Sequence, residues 1–296
     1  MWVYYVWILL SVVMFGGNFA LNDVYRKQRG SGLKISMEAA CIGALAGCAA
    51  LLVSGGFTLA CTPFTLLMAT CAALDAIAFT FCSFRALDYV NLSLFSLFAM
   101  LGGMALPFLQ GILFYGEGFT IAKGVSVLFI CIALICTVER GSRKKGTVYY
   151  IGVFLLNGTA GVLSKLFTES DLPKTSVTEY SVWVAIVSIV LSGGAWIALA
   201  LLERHRGCAE VVTGKVRLRS CGVCALNGVV NKLANLLLVF ALVHVDASVQ
   251  YPMVTGGTMI VSTVLSCFGS RKPSKREILS VALAFVGMLS LFIIPV

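Results

Sequence analysis

Ala86-Leu87-Asp88-Tyr89-Val90-Asn91-Leu92-Ser93, running on through Gly102-Gly103 to Gly116-Glu117-Gly118-Phe119-Thr120, decides how the chain is read, because it returns. The second copy is Ala241-Leu242-Val243-His244-Val245-Asp246-Ala247-Ser248, running on through Gly256-Gly257 to Arg271-Lys272-Pro273-Ser274. Each copy opens on a small turn, continues as about 20 apolar residues, and ends at a polar joint before another apolar run. The copies lie 154 to 155 positions apart, about half of the 296-residue chain. Such a repeat divides a chain into two equivalent parts, here 1–140 and 141–296. In a hydrophobic chain it is the plan of many transporters.

Composition sets the solvent. Hydrophobic residues make up 59% and charged residues 12%, about half the roughly 25% of soluble domains. A soluble fold of this length has no place for that much apolar surface, so the expected solvent is bilayer. Most of the 11 cysteines sit inside apolar runs (Cys41, Cys48, Cys71, Cys82, Cys131, Cys136, Cys267), where they act as small hydrophobes. Cys221-Gly222-Val223-Cys224 has the spacing of a redox or metal pair but stands alone. Met1 to Ala20 has no basic leader or cleavage site and reads as a retained first span.

Ten spans are predicted: Trp2–Val24, Ile35–Phe57, Pro63–Leu87, Leu92–Tyr115, Phe119–Val138, Val148–Thr168, Val177–Leu202, Arg219–Val243, Ala247–Gly269 and Lys275–Pro295. At 1.5 Å per residue, runs of about 20 to 25 residues cross a core of roughly 30 Å, some with tilt. Small residues such as Gly43-Ala44-Leu45-Ala46-Gly47 and Gly193-Gly194 let helices approach closely in lipid. The alternation of a β-barrel is absent, so the fold class is an all-α membrane protein.

Charge sorts the loops. The joints after the odd-numbered spans hold 18 of the 22 lysines and arginines, including Arg26, Lys27, Arg29 and Lys34; Arg140, Arg143, Lys144 and Lys145; Arg204, Arg206, Lys215, Arg217 and Arg219; and Arg271, Lys272, Lys275 and Arg276. Near the other side stand Lys123 and Lys174, while Lys165 and Lys232 fall within spans. The positive-inside rule puts the basic joints in the cytoplasm and, with ten spans, both termini outside. The basic joints read as topology signals and contacts to anionic membrane lipids, not as a nucleic-acid surface. Asn91-Leu92-Ser93 and Asn157-Gly158-Thr159 match the glycosylation pattern but fall at a cytoplasmic joint and inside a span.

Polar residues deep in spans are the candidates for function. Asp75 lies near the centre of the third span and Lys232 near the centre of the eighth, its repeat partner. A charge at mid-bilayer costs about 3 kcal/mol or more, so such residues face a cavity or each other. Asp75 and Lys232 are expected to line one central cavity from the two halves; a buried ion pair that only locks the halves is the structural alternative. Asn227, Asn231 and Asn235 recur every four residues as one helical stripe, which suits a polar pathway or interhelical hydrogen bonding. Asn18 ends the first span. Gln250 and Tyr251, before Pro252, open the ninth, where the proline frees a carbonyl. Gly102-Gly103 and Gly256-Gly257 read as packing contacts. No hydrolase, kinase, P-loop or metalloprotease signature occurs, and no histidine pair lies at membrane depth, so neither an enzyme, a metal nor a cofactor is expected.

The repeated turn, the apolar span, and then Gly116-Glu117-Gly118-Phe119-Thr120 resemble the drug/metabolite transporter superfamily, specifically its EamA-type domain. Arg271-Lys272-Pro273-Ser274 occupies the same place in the second half, with Arg271 where that family usually has glutamate. Phe15-Gly16-Gly17-Asn18-Phe19 is similar to the family's first-span pattern. Two tandem domains would cover the whole chain. The resemblance implies two inverted five-helix repeats, a central cavity, alternating access, and export or exchange of small metabolites, amino acids or amphipathic drugs across the plasma membrane. The related small multidrug pumps carry a glutamate in the first span. Here no carboxylate precedes Asp23 in the first span or Glu169 in the sixth, so proton coupling does not carry over. Many members also place their termini inside, against the charge count here.

The leading expectation is a secondary transporter of a small polar or amphipathic solute past Asp75 and Lys232. A zwitterion would suit the pair, its carboxylate meeting the lysine and its amine the aspartate. A flippase or carrier for lipid-linked or nucleotide-linked sugars, and a non-transporting membrane assembly protein, stand as alternatives. With both halves in one chain a monomer suffices, and a homodimer is compatible.

Overall fold

A computed structural model describes residues 2–55, 59–114, 146–205, 214–242, 245, 247–269 and 272–293, with the short pieces 124–125, 128–129 and 132–133. Among the described residues the chain is helical, in nine long elements: α1 (Trp2–Arg29), α2 (Leu33–Gly55), α3 (Pro63–Tyr89), α4 (Leu92–Phe114), α5 (Thr147–Glu169), α6 (Val177–His205), α7 (Gly214–Leu242), α8 (Ala247–Cys267) and α9 (Lys275–Ile293). Seven, α1 to α7, are long and apolar enough to cross a membrane, and Met253–Cys267 forms a shorter apolar helix. This fits an integral multi-pass membrane protein. Apart from the short helical pieces, the predicted span Phe119–Val138 lies outside the described residues, as do Gly116 to Thr120 and Arg271.

Local chemistry sets the helix ends. Ser176 and Glu179 form a capping box at the start of α6: the Ser176 N–H donates to Glu179 at 3.0 Å and the Glu179 N–H to Ser176 Oγ at 3.3 Å. Ser274 and Glu277 do the same for α9, at 2.6 and 3.3 Å. Thr62 caps α3 ahead of Pro63 in its first turn. Asn91 caps α4 by accepting from the Leu94 N–H at 2.9 Å. Helix α1 ends at Gly30, whose φ of 96° is the left-handed stop that glycine adopts without penalty. Hence α1 runs five residues beyond the predicted Val24. Arg26, Lys27 and Arg29 occupy its last turn rather than a loop, where cations meet the negative end of the helix dipole.

The helices group into two compact units, each drawing on both halves of the chain. Unit 1 holds Met1–Ala20, Ala86–Val162 and Leu233–Val296; unit 2 holds Leu21–Arg85 and Leu163–Lys232.

Unit 2 is centred on α2 and α6, which pack antiparallel. Lys34 pairs with Glu203, Gly193 faces Cys41, and Cys48 and Leu51 share a cluster with Val182 and Ala185. Helix α7 packs on α2, and the end of α1 closes that group through Tyr25, Ala39, Phe84 and Cys224. Helix α3 packs on α6, and the end of α5 closes that group through Met68, Ala69, Phe167 and Tyr180. There Phe64, Phe167 and Tyr180 stack with centroids 6.0 and 4.1 Å apart, each pair contributing about 0.5–1.5 kcal/mol beyond its buried area. Both loops at this end meet: Thr65 accepts from the Thr175 N–H at 3.2 Å, and Ala60 donates to Glu179 at 3.1 Å.

Unit 1 is joined by small-residue crossings. Helix α1 runs parallel to α8, with Val12 against Gly257 and Gly16 against Val261. Helix α5 runs parallel to α4, with Phe154 on Gly102, Gly158 on Leu106 and Gly161 on Pro107. A methyl on Gly102 would strike the Phe154 backbone, so these glycines are the packing contacts that the sequence reading expects. Asn157 adds a bond to the Ala99 carbonyl at 2.6 Å. Ser93 bonds Thr263 at 2.9 Å, tying α4 to α8, and Asn91 donates to Glu277 at 2.8 Å, tying it to α9.

Candidate functional site

The site is built on the contact between α7 and α2. Every fourth residue of α2 is small (Ala39, Gly43, Gly47), and α7 lies along that stripe in parallel register. Cys224 Sγ donates to the Ala39 carbonyl at 3.1 Å. One turn on, Gly228 meets the Gly43 backbone so closely that a Cβ at Gly228 would lie 2.2 Å from the Gly43 carbonyl oxygen, leaving Gly228 no room for a side chain. A further turn on, the residue due against Gly47 is Lys232. Its stem crosses the glycine, and a Cβ built at Gly47 would lie 2.8 Å from Lys232 Cγ. The ladder of small residues thus carries the half-buried Lys232 side chain into the apolar middle of the unit.

The neighbouring stripe of α7 turns to α1. Asn227 Nδ2 donates to Asn22 Oδ1 at 2.9 Å, and Ser220 donates to Gln28 at 3.0 Å. At Asn227 the asparagine stripe therefore joins helices. Asn231 is half-buried and Asn235 is exposed; Asn231 belongs to unit 2, Asn235 to unit 1.

Asp75, half-buried on α3, also belongs to unit 2. Its carboxylate lies within electrostatic reach of the Tyr180 hydroxyl on α6, as does Cys71 one turn away on its own helix. Lys232 lies within electrostatic reach of the Cys48 thiol on α2. The unit thus contains both predicted charges, the lysine lying against α2 and the aspartate within electrostatic reach of α6. The two sit at one depth. Thr65 meets Thr175 and Ala69 clusters with Tyr180, a spacing that brings Asp75 level with residue 185 or 186 of α6. The antiparallel register of α2 and α6 brings Gly47, and with it Lys232, to the same level.

Asn18 is buried in unit 1, 5% exposed. Gln250 and Tyr251 open α8, but their side chains lie outside the described residues. Cys221 and Cys224 are free thiols one turn apart, and among the described residues no cluster of His, Cys, Asp or Glu has the makings of a metal site.

The sequence reading missed a second charged group. Glu38 receives Arg29 Nη2 at 2.6 Å, with side chains 4% and 8% exposed, in the group that holds Tyr25 and Cys224. Glu38 lies three residues inside the predicted second span, a signal available in the sequence. Arg29 was assigned to a loop, which hid the pairing.

No family model and no curated protein matches this chain. Among solved structures 25 chains match. One, described only as the crystal structure of a protein, is 16% identical and has a TM-score of 0.56 over 96% of this chain and 94% of its own. At that identity the likeness is one of fold.

Proposed function

We propose that the chain is a secondary transporter of the drug/metabolite type, with ten spans arranged as two inverted five-helix repeats, 1–140 and 141–296. It carries a small polar or amphipathic solute across the plasma membrane by alternating access, with both termini outside and Asp75 and Lys232 on the solute path.

The observation that carries this reading is that the same contacts form twice. The crossing of α1 on α8 through Gly16 and Gly257 has its counterpart in the crossing of α5 on α4 through Gly161 and Gly102. The group of α1, α2 and α7 at Tyr25, Ala39 and Cys224 has its counterpart in α5, α6 and α3 at Phe167, Tyr180 and Ala69. These pairs follow the predicted repeat, with α1 matched to α5, α2 to α6, α3 to α7 and α4 to α8. The directions of the helices support a tenth span. Helices α4 and α5 run parallel, and the sequence between them includes the apolar run Phe119–Val138, long enough to supply the return span this proposal requires. Helices α2 and α6, partners in the proposed repeat, are antiparallel, as inverted repeats require. Lys34 at the start of α2 meets Glu203 at the end of α6, and Ala60 meets Glu179 near the start of α6 at the other end; the charge count supports placing the first of these ends in the cytoplasm.

Reconstitution tests the reading. Purified protein in liposomes should accumulate or exchange at least one solute from a panel of amino acids, organic acids and amphipathic cations. Asp75→Asn or Lys232→Met should cut that flux at least about tenfold, the loss expected where a buried charged contact to solute is removed. Flux indistinguishable from empty liposomes for the whole panel, with no effect of either substitution, would favour an assembly role instead.

A further inference from the structure

We infer that Lys232 is the seat of an anionic group, so that the solute recognised there is an organic or inorganic anion, a carboxylate or phosphate, with no amine needed to complete the site. The inference rests on the transport reading and narrows its substrate class.

Three observations carry it. First, Lys232 has no carboxylate partner among the described residues. The ion pairs of unit 2 join Asp23 to Arg26 and Lys27, Arg29 to Glu38, and Lys34 to Glu203, all near one end. The group within electrostatic reach of the Lys232 ammonium is the Cys48 thiol, neutral in its ordinary form. Second, the carboxylate at the same depth, Asp75, lies within electrostatic reach of Tyr180 on α6, whereas the Lys232 stem lies on α2. Third, the lysine stem packs on α2. It crosses Gly47, where an added methyl would lie 2.8 Å from Cγ and in contact with Cε at 3.5 Å. A half-buried lysine ammonium in an apolar unit is expensive unless an anion meets it.

Thermal unfolding of the purified full-length chain in a neutral detergent tests this. The probes are inorganic phosphate, malate, alanine as a zwitterion, choline as a cation, and phosphatidylglycerol as a lipid anion. Phosphate or malate should raise the midpoint progressively with concentration, as a ligand of the folded state does. Alanine and choline should leave it unmoved. Lys232→Arg should keep the rise and Lys232→Met abolish it. Stabilisation by alanine or choline alone would overturn the inference and leave the transport reading standing. Anion stabilisation without flux in liposomes would do the reverse. A rise with phosphatidylglycerol but not with phosphate or malate would assign the lysine to a lipid headgroup and overturn the solute site. A flat wild-type response to phosphate and malate would overturn it even where Lys232→Met fails to fold.

Discussion

The side chain of Lys232 lies across Gly47, and the glycine's missing Cβ is the space that the lysine stem fills. That relationship makes Gly47 a positioning residue. Alanine there presses on Cγ at 2.8 Å and on the Gly228 carbonyl at 3.3 Å, and a flexible stem can yield to one methyl. Leucine cannot be accommodated without parting α2 from α7. Gly47→Ala should keep flux within about twofold, whereas Gly47→Leu should lower it at least tenfold and cost about 1–3 kcal/mol of stability, the range for overpacking. Flux in liposomes and thermal unfolding in detergent measure both.

Arg29 and Glu38 form a buried pair, and breaking it from one side leaves a charge without its partner. Glu38→Met or Arg29→Met alone should cost about 3–5 kcal/mol, while the double change Arg29→Met with Glu38→Met should cost much less. A double-mutant cycle by detergent unfolding reads the difference. Additive single and double effects would mean that the pair contributes no coupling.

Asn227 and Asn22 join α7 to α1 by one hydrogen bond. Such bonds between membrane helices contribute about 0.6 kcal/mol on average. Asn227→Ala should therefore lose little stability and should couple to Asn22→Ala by a similar amount, with flux retained. Loss of flux at unchanged stability would move Asn227 from helix joining to the solute path.

The helices were legible because lipid imposes a length: runs of 20 or more apolar residues announce themselves, and most predicted ends fall within three residues of those found. The misses beyond that lie at polar ends: α1 continues to Arg29, where basic side chains suit the last turn of a helix, and α7 begins at Gly214, five residues before the predicted Arg219. The depth of Asp75 and Lys232 was also legible, since it follows from counting along a span. Their surroundings were not. Nothing in the local sequence says that Gly47 lies beneath Lys232 or that Tyr180 lies near Asp75. Those facts depend on which helices meet, and in lipid that choice rests on small-residue ladders such as Ala39, Gly43 and Gly47, which recur in several spans. The reading brought Asp75 and Lys232 together from the two halves of the chain without assigning either a neighbouring helix.

Native cysteines test sidedness. Cys61 is exposed between α2 and α3, and Cys267 is exposed at the end of α8. With the termini outside, an impermeant thiol reagent added to intact cells should label Cys61 and spare Cys267, and permeabilisation should expose the latter. Cys61→Ser and Cys267→Ser identify each signal. The opposite pattern would invert the orientation drawn from the basic joints.

The account stands on Lys232 lining a water-filled route that opens to each side in turn. Lys232→Cys in a background without other reactive cysteines, probed with a charged, impermeant methanethiosulfonate, tests it most directly. The account predicts labelling from either face of the membrane, slowed when a transported anion is present. Labelling only by a lipid-soluble maleimide, from neither aqueous side, would contradict it.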